Sequence, residues 1–167
     1  MAKKSSKKGI SKLPDLILIV IAGGMFGFLA MPYINNKVTS VLGDTIKTVS
    51  GYQLLDFEAD GGLATIILLL IIFASLLAVL SVLKLCFDAN IIKNKTVGKV
   101  AGFGVVVMAL AILVVCIVAI IVVPNKCSSY SFGGLVSAGN YANWLTLILT
   151  TVVYAGGLVT SFYSVKK

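Results

Sequence analysis

Four stretches of this chain, 16–33, 63–83, 100–123 and 142–163, contain no Asp, Glu, Lys, Arg or His. They hold 18, 21, 24 and 22 residues. A helix that crosses the ~30 Å hydrocarbon layer of a bilayer needs roughly 20 residues, so each stretch is long enough to span. Backbone groups in lipid must pair within the segment, which leaves helices or a closed barrel. Barrel strands would give alternating segments of about ten residues, and the chain has none. The composition agrees: 59% of residues are hydrophobic and 12% charged, against about 45–50% and about 25% in ordinary soluble domains. The expected fold is an all-α integral membrane protein. It comprises a basic tail over 1–14 and a single four-helix transmembrane bundle over 15–167.

The first span follows the basic stretch "KKSSKKGISK", as a secretory signal would. Its exit, "GFLAMPYINN", lacks a small-x-small cleavage pattern, because Phe28 stands two residues before Ala30. It therefore reads as an uncleaved anchor.

All fourteen basic residues are lysines. With the N-terminus in the cytoplasm, eleven fall on inner segments: Lys3, Lys4, Lys7, Lys8, Lys12, Lys84, Lys93, Lys95, Lys99, Lys166 and Lys167. Three, Lys37, Lys47 and Lys126, fall outside. Lysines near span ends collect on the cytoplasmic side, which places both termini there in the cell membrane. The net charge of +8 is then an attraction to the anionic inner leaflet, about 1 kcal/mol for each lysine near it. Without arginines or interleaved aromatics, the lysine clusters do not read as a nucleic-acid surface.

The first outer loop, 34–62, carries Val38, Val41, Leu42, Ile46 and Val49 at spacings of three or four. That stripe predicts an amphipathic interfacial helix over about 35–50, ended by "SGY" at 50–52. Asp56, Glu58 and Asp60 follow it directly. Asp60 suits an N-cap, and carboxylates are favoured near a helix N-terminus. A weak cation site is the alternative reading for these three, although the regular ligand series of a calcium loop is missing. The second outer loop, 125–141, is rich in Ser and Gly, with Tyr130 and Phe132 as interfacial anchors. Cys127 is the one cysteine in either outer loop, so a disulfide framework is not expected and a free thiol is.

Ion-coupled transporters keep ionisable groups inside the bilayer because their mechanisms need them. Here Asp15 and Lys84 stand at span ends, within expected reach of water, and the spans hold none. Without histidine or a recognisable nucleophile and base, no catalytic, cofactor or metal residues are assigned. The spans instead carry small residues four apart: Gly23 and Gly27 in the first, Gly98 and Gly102 entering the third, with Gly156 and Gly157 in the fourth. Such faces allow close helix approach, within the bundle or against partner membrane subunits or a second copy.

The layout resembles the broad tetraspan plan of four spans, inner termini and a longer first outer loop. The resemblance is one of topology. The first-loop Trp and cysteine pair of claudins is missing, as is the Cys-Cys-Gly signature of tetraspanins. The expected role is that of a non-enzymatic structural or accessory subunit of a membrane assembly. An oligomeric pore or transport component lined by Thr146, Thr150 and Thr151 is the alternative.

Overall fold

The computed structural model describes residues 12–40, 43–55, 61–132 and 136–166. Four helices within it are long and apolar enough to cross a membrane: α1 (Leu13–Ala30), α3 (Gly61–Asp88), α4 (Lys95–Asn125) and α5 (Trp144–Val165). A short helix α2 (Gly51–Leu55) precedes α3. Each long helix packs against two others, closing a ring in the order α1–α3–α4–α5.

The boundaries follow from local chemistry. Pro14 opens α1, where its missing N–H costs no hydrogen bond. Asn94 caps α4 by accepting from the Thr96 N–H at 2.9 Å, and Asn143 caps α5 by accepting from the Thr146 N–H at 3.3 Å. At the end of α3, Asn90 takes φ 60, and the Ile91 N–H donates to the Cys86 carbonyl at 3.0 Å. This is the left-handed helix ending that Asn tolerates better than most side chains. Helix α3 therefore runs past residue 83 and includes both Lys84 and Asp88. At the other boundaries, Tyr33 and Ala142 lie in strands rather than spans.

The helix seams repeat at spacings of four and three. Leu18, Ala22, Met25 and Leu29 line α1; Leu70, Ala74, Leu77, Ser81 and Lys84 line α3; Val105, Ala109, Ile112, Cys116, Ala119 and Val123 line α4. A 3.5-residue repeat is the left-handed, knobs-into-holes mode of helix packing. An alanine recurs in each of these seams: Ala22, Ala74, Ala109 and Ala119. Two aromatic contacts tie α5 to α1: the Tyr154 hydroxyl donates to the Ile21 carbonyl at 3.1 Å, and the Phe28 and Tyr154 rings stand 6.4 Å apart.

The expected interfacial helix is corrected by the structure. Residues 35–50 form an antiparallel hairpin, β1 (Pro32–Ser40) and β2 (Gly43–Ser50). The physical reason lies in the residues the stripe passes through. A helix would place Gly43 in its interior, at a cost of about 1 kcal/mol, and crowd the β-branched Val38, Thr39, Thr45, Ile46, Thr48 and Val49. A hairpin suits them all, and Gly43 adopts φ +130, a conformation that side chains disfavour. Val38 and Ile46 are exposed strand residues, whereas Val49 packs on the core. Val41 and Leu42 lie outside the described residues.

The segment between α4 and α5 is also β-structure, β3 (Ser129–Phe132) and β4 (Val136–Ala142). The two hairpins join into one sheet in the order β2-β1-β4-β3, antiparallel throughout. The sheet sits at the end of the bundle opposite the chain termini. Its base is locked down: Tyr33 and Ile34 are buried, and the Asn143 N–H donates to the Tyr33 carbonyl at 2.8 Å. Gly51 is required there, since a Cβ would stand 3.0 Å from the Leu29 carbonyl oxygen.

Candidate functional site

The end of the bundle that carries the termini contains a layer of polar side chains. Asp15 of α1 is 0% exposed and Lys84 of α3 is 7% exposed. Both were expected to reach water, and both are buried. The Ser164 hydroxyl of α5 donates to Asp15 Oδ1. Lys84 Nζ pairs with Asp88 Oδ2 at 2.6 Å, one helical turn further along α3. Lys84 and Asp88 both act on the Asp15 carboxyl, the one attracting it and the other facing it with like charge. Asp15 Oδ2 and the Ser81 hydroxyl have no hydrogen-bond partner among the described residues. Ser161 is buried alongside, donating to its own helix at Leu158 O, 2.6 Å away.

This layer is cross-helix by construction: one carboxyl from α1, an ion pair from α3, hydroxyls from α5. Burying charge is costly unless it is paired and hydrogen-bonded, so these groups must be considered together. Beside them the buried residues of α4 are Gly98, Ala101 and Gly102. A cavity of about 780 Å³ opens here, lined by Lys84, Phe87 and Asp88 from α3, Gly98, Lys99, Gly102, Phe103 and Val106 from α4, and Phe162 and Val165 from α5.

The sequence contains a signal for this layer that span-counting passes over. The seam of α3 continues at the same spacing from Leu77 through Ser81 and Lys84 to Asp88. In α5 it continues from Tyr154 through Gly157 and Ser161 to Ser164. Extending a heptad seam past the first charge, instead of stopping there, points to these residues.

The six glycines expected to pack helices divide in two. A Cβ on Gly98 would stand 2.6 Å from the Phe87 ring, one on Gly102 would lie 3.5 Å from Lys84 Cε, and one on Gly157 would meet Ile21 Cγ2 at 3.3 Å. These three pack internally. Gly23, Gly27 and Gly156 are exposed, and a Cβ there meets nothing within 4 Å. Gly24 on α1 is open in the same way.

Thr146 and Thr150 are buried in the bundle. The Thr150 hydroxyl donates to Thr146 O at 2.7 Å and that of Thr151 to Leu147 O at 2.8 Å. The space beside them, bounded also by Tyr33 and Cys116, is about 10 Å³. On the sheet, Lys37 and Asp44 pair at 2.8 Å with both side chains partly exposed. The hydrogen bond between them raises the lysine above its ordinary value and lowers the carboxylate below it. Cys127 is a free thiol, donating to Val123 O at 3.3 Å, and burial pushes it above the ordinary thiol range. Asp56, Glu58 and Asp60 lie outside the described residues.

A mostly helical chain with four helices of this length and apolarity is that of a multi-pass membrane protein. Comparison with known protein families, with curated proteins and with solved structures finds no match to this chain.

Proposed function

We propose that this protein is a non-enzymatic subunit of a membrane assembly. In this reading the four helices form a scaffold that associates laterally through α1 and presents the four-stranded sheet outside the cell. The observation that carries the reading is the face of Gly23, Gly24 and Gly27. Small residues strengthen membrane helices where another helix comes close, and here that space is open. Both termini are cytoplasmic in this proposal, on the strength of eleven lysines against three.

The pore reading is the weaker one. Thr146 and Thr150 are buried in packed protein, the hydroxyls of Thr150 and Thr151 are bonded to their own helix, and the space beside them holds no more than about one water. The test is a panel of Gly23→Ile and Gly27→Ile against Thr150→Val and Thr151→Val. The proposal expects the glycine changes to release the assembly from a folded chain, with no conductance from reconstituted protein. Robust conductance that responds to the threonine changes would overturn it.

A further inference from the structure

We propose that the cavity between α3, α4 and α5 binds one anionic phospholipid, with an acyl chain against Phe87, Phe103 and Phe162 and the phosphate at Lys99. The cavity, about 780 Å³, is within the range of about 300–1,000 Å³ usual for ligand pockets. Its walls are apolar apart from three charged side chains. Two of these, Lys84 and Asp88, neutralise each other at 2.6 Å. Lys99 is exposed and has no ion-pair partner among the described residues, and Asp15, the remaining acid of the layer, does not line the cavity, so the unpaired charge on the cavity wall is positive.

The opening is lateral. Phe103 lines the cavity and is 71% exposed, so the space communicates with whatever surrounds the helices. In a bilayer that is acyl chain. Glycine makes the room: at Gly102, which lines the cavity, a side chain would project toward Lys84 and Val165. Basic pockets between membrane helices at an anionic leaflet are suited to lipid phosphates, and a single lysine there discriminates charge, not headgroup identity. The inference rests on the proposed reading that the helices lie in a bilayer with this end of the bundle at the anionic leaflet.

The experiment is native mass spectrometry of the full chain released from nanodiscs containing equal amounts of phosphatidylglycerol and phosphatidylcholine. One phosphatidylglycerol per chain should be retained with a roughly fivefold preference, the discrimination one lysine supplies. Lys99→Ala should abolish the preference. Gly102→Leu should abolish retention of either lipid by filling the cavity; Val106→Trp does the same from the α4 wall if Gly102→Leu does not fold. Inorganic phosphate should not compete, since the chain supplies most of the contact. Equal retention of both lipids by the wild type, preference surviving Lys99→Ala, or displacement by phosphate would overturn the proposal. So would lipid retained by a folded cavity-filling variant, or the cavity occupied by a second copy. The same spectra report oligomeric state separately, so loss of the lipid site and loss of the subunit reading are distinguishable.

Discussion

Lys84 holds its place in a buried seam because three other residues accept its consequences. Asp88 supplies the opposite charge, Asp15 a second carboxyl, and Ser164 a donor for Asp15. Removing one member of a buried ion pair strands the other and costs about 3–5 kcal/mol. Lys84→Met should therefore lower the thermal stability of the detergent-solubilised protein sharply, with Lys84→Met/Asp88→Leu recovering part of the loss. Ser164→Ala deprives Asp15 of its donor when Oδ2 already lacks one, at about 1–3 kcal/mol. Circular dichroism melts check both, and shifts equivalent to under about 0.5 kcal/mol, the size of ordinary surface changes, would contradict the described layer.

Tyr33 gives a second test at the same scale, with a defined sign. Burial pushes its phenol from 10.0 up to about 12, opposed by the Thr150 side chain. Its hydroxyl has no hydrogen-bond partner among the described residues, and Thr150 already donates to its own helix. The folded state therefore favours the neutral phenol. The associated stability is complete below pH 10.0 and is lost as pH rises through about 12. Tyr33→Phe should be neutral or stabilising at pH 7 and should lose less stability than the wild type between pH 10 and 12. Parallel wild-type and variant slopes over that interval would contradict it.

Among the elements, the helices were legible and the sheet was not. Uncharged runs of about twenty residues announce spans whatever their partners. In the β1–β2 hairpin, five apolar residues at three and four spacing mask the β-branched residues and Gly43 between them. Pairing between the two hairpins is invisible to any local pattern: β1 is completed by β4, with Ile34 facing Ala142. The terminal polar layer is hidden for a related reason, since a charge that closes an apolar run also reads as a span end. At Gly43 the φ of +130 makes Gly43→Val costly by about 1–3 kcal/mol of local strain. Faster proteolysis of the 40–43 connection, with the helical melt nearly unchanged, is the expected result. A helical 35–50 segment would tolerate Val there better than Gly.

At the scale of the whole molecule, the closed ring of helices uses Gly98, Gly102 and Gly157 and leaves Gly23 and Gly27 outside. Isoleucine at Gly98 should impair folding itself, because a side chain there meets the Phe87 ring, whereas a Cβ at Gly102 meets only ordinary contacts. The proposed orientation is read out by single cysteines introduced at Asp44 and Ser129 in a variant lacking the native thiols. Both should react with impermeant reagent on intact cells, and reaction only after permeabilisation would reverse the orientation.

The most direct test of the subunit account is the native mass of the protein in mild detergent, wild type beside Gly23→Ile/Gly27→Ile. The account predicts a wild-type complex heavier than the 17.5 kDa chain and a double variant recovered as a folded monomer with an unchanged helical spectrum. A wild type that is already monomeric, or a double variant that keeps the full complex mass, would contradict it.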